Sequence, residues 1–339
     1  MVNDDDSIFR KNVFYFVTRE IFISLSLAAF AFLAQSCATN CCQPEKTPPP
    51  PQSRFIRSEI PMPGSEKSYP VWRTRSPGKP VLLLHALNGI SPKTLLFALE
   101  MEGWGYRVYL PSLYGQTIGG QSAFGYDMAL NMSKKLKRDP DWNLFDSNHP
   151  GSILEDVAKM SRWVAQQERG RDLTVIGNCL TGNFPLALLD QPAVKTVVLA
   201  QPALPVVKNY QVLFQLPQFP HKRRSLALPQ GTLDRGLAAM KANPKKRIVG
   251  FHYSNDPLAA PVKFDTLHRK LKLAGLEDRF TAYVLSPENS NYAETRDWVM
   301  GGVTAIPKKL LVPHSTLINP ESLTDREWFR NRLRGELRR

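Results

Sequence analysis

Strand-length apolar runs alternate with helix-length segments through most of this 339-residue chain, and that alternation constrains its fold more than any other feature. Pro80–Leu84 reads PVLLL, a continuous apolar run of the kind that forms a strand covered on both faces. Arg107–Leu110, Leu173–Ile176, Thr196–Leu199, Ile248–His252 and Thr281–Leu285 are further strand candidates. Helical spacing falls between them at Lys93–Glu102 and at Ile153–Gln167, the second with Glu155 and Asp156 in its first turns. Strands alternating with helices imply parallel βαβ units. The expected fold class is therefore α/β: one doubly wound, mostly parallel sheet with helices on both faces. Two earlier strand-like pieces, Phe55–Ile60 and Ser68–Thr74, are joined by the turn residues Pro63-Gly64-Ser65. The sections 112–151 and 201–243 are too long for simple connections. They are expected as partial covers over the strand ends, where open α/β sheets carry their sites.

The start of the chain reads differently. Ile21–Ala34, IFISLSLAAFAFLA, is a 14-residue apolar run preceded by Arg10, Lys11 and Arg19. It is short for a membrane span and has the length of a signal-peptide core. Ala34-Gln35-Ser36-Cys37 follows and resembles a bacterial lipobox, with Ala34 where leucine is usual and Leu33 one place earlier. That resemblance implies lipidation at Cys37 and a membrane-anchored lipoprotein of the bacterial cell envelope. A secretory signal or an uncleaved N-terminal anchor is the alternative. Four consecutive prolines, Pro48–Pro51, then favour an extended polyproline helix, a semi-rigid stalk. The expected organisation is a signal or anchor segment over 1–36, a Cys- and Pro-rich linker over 37–53 and one folded domain over 54–339.

Composition excludes several function classes. Apolar residues make up 42% and charged residues 22%, as in a soluble globular domain. The formal net charge is +14, which favours weak attraction to anionic surfaces, lipid headgroups included. The basic residues are scattered apart from Lys245-Lys246-Arg247 and the tail 330–339, and no zinc-finger or RNA-binding signature accompanies them. No nucleic-acid partner is expected. Of four cysteines, Cys37, Cys41 and Cys42 cluster near the start and Cys179 stands alone in the domain, which excludes a disulfide framework there. No metal-ligand spacing occurs, so no metal is expected. The sequence leaves the oligomeric state open.

Cys179 poses the sharpest question. In TVIGNCLTG, Thr174–Gly182, a β-branched run drops into Gly177, then Cys179, then Gly182. A lone cysteine in a turn is ordinarily inert packing. A strand, a tight turn carrying a nucleophile between glycines and then a helix is instead the nucleophile elbow of α/β-hydrolases. The strained turn needs small neighbours, and a helix N-terminus behind the thiol would favour the thiolate. Pro185 falls near the first turn of that expected helix, where proline is tolerated.

At these residues the chain resembles the dienelactone hydrolase family, whose elbow is Gly-Tyr-Cys-Leu-Gly-Gly where this chain has Gly177-Asn178-Cys179-Leu180-Thr181-Gly182. The resemblance extends over roughly 60–320. Val81–Gly89 looks like the family's strand and oxyanion loop, and Gly105–Gly115 looks like its Gly-Tyr…Pro-Asp-Leu-Tyr segment. Asn255-Asp256-Pro257-Leu258 and His314-Ser315 fall where the family places its acid and its His-Ser. The resemblance thus implies a catalytic set of Cys179, Asp256 and His314, in the order nucleophile, acid, base. The backbone N–H groups of Leu87 and Leu180 would form the oxyanion hole. His85, Asn178 and Tyr114 are candidate pocket-lining residues. Among the other histidines, His252 is expected to pack within its strand, His268 to be solvated, and His149 and His221 to lie in the covers.

Two positions depart from the family pattern. Ala86 stands where the family has a glutamate that contacts the cysteine, leaving a simpler Cys-His pair. Ile318 stands where it has an arginine that holds a substrate carboxylate. The expectation is a hydrolase acting on a small-molecule ester, lactone or thioester, with no cofactor. A catalytically inactive scaffold serving as a surface binding protein, and an acyltransferase, are the alternatives.

Overall fold

The computed structural model describes residues 50–87, 89–114, 135–206, 218–254, 256, 259–286, 316–318 and 323–339. Among the described residues eight strands form one sheet: β1 (Phe55–Pro61), β2 (Ser68–Thr74), β3 (Lys79–Leu84), β4 (Tyr106–Pro111), β5 (Leu173–Asn178), β6 (Val194–Ala200), β7 (Arg247–Tyr253) and β8 (Phe280–Leu285). Their order is β1-β2-β4-β3-β5-β6-β7-β8. β1 pairs antiparallel with β2 and β2 with β4, while β4, β3, β5, β6, β7 and β8 run parallel. This mostly parallel sheet with the β3–β4 crossover is the arrangement of the α/β-hydrolase fold.

The apolar runs alternate faces with the two-residue period of a strand. Leu82, Leu84, Val175, Val197, Leu199 and Ile248 face one side, while Val81, Leu83, Ile176, Val198, Val249 and Phe251 face the other. Both sides are covered, as continuous apolar strands require. On the first side lie α2 (Ile153–Gln167), α4 (Thr232–Ala242) and α5 (Val262–Leu273), through Val157, Met160, Leu233, Met240, Phe264 and Leu267. On the second lie α1 (Pro92–Gly103), with Leu95, Phe97 and Met101, and α6 (Leu323–Arg338), with Phe329, Leu333 and Leu337. A further helix, α3 (Gln218–Arg224), precedes α4. Ser91 caps α1, its hydroxyl accepting from the Thr94 N–H at 3.2 Å, with Pro92 at the first helical position.

One expectation needs correction. The section 201–243 is not only a cover, because α4 is a sheet-packing helix whose Leu233, Leu237 and Met240 repeat at helical spacing. The basic tail 330–339 lies almost wholly within a helix. Residues 330–338 belong to α6, whose apolar stripe at 329, 333 and 337 is interleaved with arginines. The Arg330 guanidinium donates to the Leu317 carbonyl at 2.9 Å, pairs with Glu100 and stacks over the Phe97 ring at 4.6 Å. Its buried position lowers its pKa to about 10, chiefly by desolvation. No helix among the described residues is long and apolar enough to cross a membrane. The apolar run Ile21–Ala34 and Cys37, Cys41 and Cys42 lie outside the described residues.

Candidate active site

Parallel strands present their C-terminal ends at one edge, and the turn after β5 places Cys179 there. Cys179 has φ +51°, a left-handed conformation that costs a side chain with a Cβ about 1–2 kcal/mol. Such strain persists only where the surroundings over-determine it. Here they do. The Cys179 carbonyl accepts from the Gly182 N–H at 2.9 Å and from the Ala203 N–H at 2.9 Å. The flanking glycines are present for space. A Cβ on Gly177 would lie 2.2 Å from the Thr181 carbonyl oxygen, and one on Gly182 would lie 2.5 Å from the Pro202 Cα.

The elbow is clamped to the loop after β3. Thr181 Oγ1 accepts from the Asn178 N–H at 3.0 Å and donates to the His85 carbonyl at 3.1 Å. The Asn178 side-chain amide donates to the Leu84 carbonyl at 3.2 Å. In that loop the Gly89 N–H donates to the Ala86 carbonyl at 3.0 Å, and Gly89 adopts φ +71°. Leu87 lies within this turn, one strand over from Leu180. Asn88 lies outside the described residues.

The helix expected behind Cys179 is absent. Two short 3₁₀ segments, Cys179–Thr181 and Phe184–Leu188, take its place. Pro185 explains the break: it has no N–H to give the Thr181 carbonyl, and its ring packs where a Gly177 Cβ would point. A three-residue turn has little aligned dipole, so the macrodipole term expected for the thiol does not apply.

His85 is fully buried and committed at both nitrogens. Nδ1 donates to the Ala86 carbonyl at 2.8 Å, which leaves Nε2 to accept from the Leu113 N–H at 3.0 Å. Burial lowers its pKa to about 4, so the ring is neutral and ties β3 to the segment after β4. Its edge meets Tyr114 at 4.6 Å between centroids. The Tyr114 hydroxyl is buried with no hydrogen-bond partner among the described residues. Burial, and then negative charge at the neighbouring Cys179, push its pKa well above the ordinary value.

Asp256 follows β7, two strands from Cys179, or about 10 Å at ordinary strand spacing. It is buried, and its Oδ1 accepts from the Ala259 N–H at 2.9 Å, so it also organises the turn into α5. His314 lies outside the described residues. Thr316, two positions later, is described: its N–H and hydroxyl both bond the Gln201 side-chain oxygen. Gln201 (φ +38°) sits directly after β6, the strand between those of Cys179 and Asp256. Sequence reasoning passed over Gln201 and Thr181, although Gln201-Pro202 directly after a strand was a usable turn signal. Ala86 and Ile318 are both buried, Ile318 within the second core layer. His252 packs edge-on against Phe264 with Nδ1 on the Tyr253 carbonyl, while His268 and His149 are exposed. No group of His, Cys, Asp and Glu among the described residues is arranged to hold a metal.

No protein-family model matches the chain. No curated protein matches it either. Among solved structures the chain is similar to a dienelactone hydrolase-like promiscuous phosphotriesterase from metagenomic libraries, at 11% identity and TM-score 0.48, covering 84% of this chain and 98% of that one. It is also similar to a Pyrococcus furiosus esterase, at 14% identity and TM-score 0.45, covering 75% and 95%. A dienelactone hydrolase from Anabaena variabilis gives 12% identity and TM-score 0.41, covering 69% and 86%. The fold assignment rests on strand order and direction rather than on these likenesses.

Proposed function

We propose that this chain is a hydrolase that attacks an ester, lactone or thioester carbonyl through Cys179. The carrying observation is the strained φ of +51° at a cysteine on the C-terminal edge of a parallel sheet, enforced by two glycines and a clamp of hydrogen bonds. In this reading the Cys179 sulfur adds to the carbonyl carbon while His314 takes the thiol proton. The N–H groups of Leu87 and Leu180 receive the developing oxyanion. His314 returns the proton to the leaving alcohol or thiol, which leaves a thioester on Cys179. Water then attacks the thioester, with His314 as base, and releases the acid. Asp256 orients the imidazole and stabilises its charged form. Support for His314 comes from Thr316: His314 stands two positions before it, about 7 Å of chain at most from that anchor at the end of β6.

Tyr114 lines the pocket beside Cys179. The substrate is a small uncharged carbonyl compound rather than a carboxylate-bearing lactone, because buried Ile318 offers no cation. The enzyme is held at the bacterial cell envelope by lipidated Cys37, and Cys37→Ala should release it where Cys41→Ala and Cys42→Ala do not. The catalytically inactive scaffold is the rival reading, favoured by Ala86 and by the missing helix behind the thiol. Hydrolysis of short p-nitrophenyl esters and thioesters separates the two. Cys179→Ala should cut turnover about a thousandfold or more; undiminished turnover in that variant refutes the reading.

A further inference from the structure

The end of the sheet opposite Cys179 has a chemistry of its own. A cleft of about 910 Å³ opens where β3 to β8 begin. Seven cationic side chains line it against three carboxylates, Asp172, Asp278 and Glu336. The carboxylates are already engaged: Glu336 pairs with Arg247 and Arg339, Asp278 with Arg279, and Asp172 lies 3.9 Å from Lys195. Lys79 and Lys245 are exposed and have no acidic partner among the described residues. An anion is what such a cleft recognises.

Two independent features say which kind of anion. α5 starts at the Cys179 edge, after β7, and therefore ends at the cleft edge, before β8. Its last residue, Leu273, is 89% exposed, with exposed Lys270 and Lys272 beside it. A bare leucine among ammonium groups matches the boundary between lipid headgroups and acyl chains and is wasted on a dissolved ion. The chain also enters the domain at this end. Phe55 pairs with Thr74 and Arg73 with Tyr109, so β1 starts level with the beginnings of the parallel strands. The linker over 37–53 spans at most about 50 Å if extended at ~3.1 Å per residue. This rests on the lipidation of Cys37 proposed above: a tether of that length then gives even a weak contact a high effective concentration.

We propose that this end of the sheet is a docking surface for anionic lipid headgroups, with Lys79 and Lys245 as the charge contacts and Leu273 as a shallow apolar wedge. Docking this way turns the Cys179 edge away from the bilayer, toward solutes. The proposal does not depend on Cys179 chemistry.

The test uses the full-length chain in flotation with phosphatidylcholine vesicles, with and without phosphatidylglycerol. All three positions are exposed, so substitution leaves the core intact. At about fivefold per cation near an anionic leaflet, Lys79→Glu/Lys245→Glu should weaken binding to the anionic vesicles about thirtyfold or more. Binding to neutral vesicles should not change with that variant. Leu273→Ser should weaken anionic binding severalfold. Equal anionic preference in wild type and the double variant overturns the proposal. So does displacement from vesicles by inorganic phosphate at constant ionic strength with Leu273→Ser indistinguishable from wild type, which assigns the cleft to a soluble anion.

Discussion

Gly177→Ala probes the elbow most sharply, because the added atom has nowhere to go. Its Cβ would sit 2.2 Å from the Thr181 carbonyl oxygen, 2.8 Å from the Pro185 Cδ and 2.9 Å from the Thr181 carbonyl carbon. Two of those three atoms are backbone, and Thr181 is held by its side chain to Asn178 and His85. Relief requires the turn to move by most of an ångström. Overpacking of this kind costs about 3 kcal/mol. The gain from a less flexible unfolded chain offsets about 0.7 kcal/mol of it. The net loss is about 2 kcal/mol, or roughly 4–8 °C in Tm for a domain this large. Thermal unfolding followed by circular dichroism measures it, with Gly103→Ala as control, since nothing lies within 4 Å of a Cβ at Gly103. The control should be neutral or slightly stabilising. The same shift drags Cys179 out of line, so ester turnover should fall more than stability does. A Gly177→Ala protein with wild-type Tm and turnover refutes the packing described for the elbow.

Acid should destabilise the fold through His85. Its folded pKa of about 4 lies below the unfolded value of about 6.5, so the unfolded chain binds the extra proton between those values. Stability is therefore fully present above pH ~6.5 and falls as pH drops toward 4, by up to about 3 kcal/mol; His85→Gln should flatten that limb of a Tm-versus-pH curve. His252, also lowered by burial, adds in the same direction. Thr181→Val leaves the Asn178 N–H without its acceptor and should cost about 1–3 kcal/mol in denaturant unfolding. Gly89→Val forces a branched side chain onto φ +71° and should misplace the Leu87 N–H, lowering kcat on the order of 100-fold in a protein that still folds.

Periodicity made the sheet legible. Strands β3 to β7 and the helices α1 and α2 follow from apolar runs and helical spacing, because each is buried along a stripe, whereas β1 is buried only at Phe55 and Ile60 and β8 only at Leu285. α6 escaped because Phe329, Leu333 and Leu337 sit among arginines, and composition masked the repeat at every fourth residue. α4 escaped inside a section judged by its length alone. At the site, TVIGNCLTG announced the turn after β5. It did not announce that Pro185 stops an α-helix from following, a local veto that the pattern of glycines does not show. Gln201 and Thr181 carried only local turn signals, Gln201-Pro202 after a strand and the Asn178–Thr181 pair. Their longer-range roles depend on partners at 316 and 85, and pairings so distant in sequence leave no local pattern.

In the proposed reaction Cys179 forms a bond to substrate carbon. Rapid acid quenching of a p-nitrophenyl acetate reaction, followed by peptide mass spectrometry of the full chain, tests it directly, because acid preserves a thioester. An acetyl group is expected on the peptide containing Cys179, present during turnover and absent after pre-treatment with iodoacetamide. Acetylation at any other residue during turnover, or hydrolysis that continues with Cys179 alkylated, contradicts it.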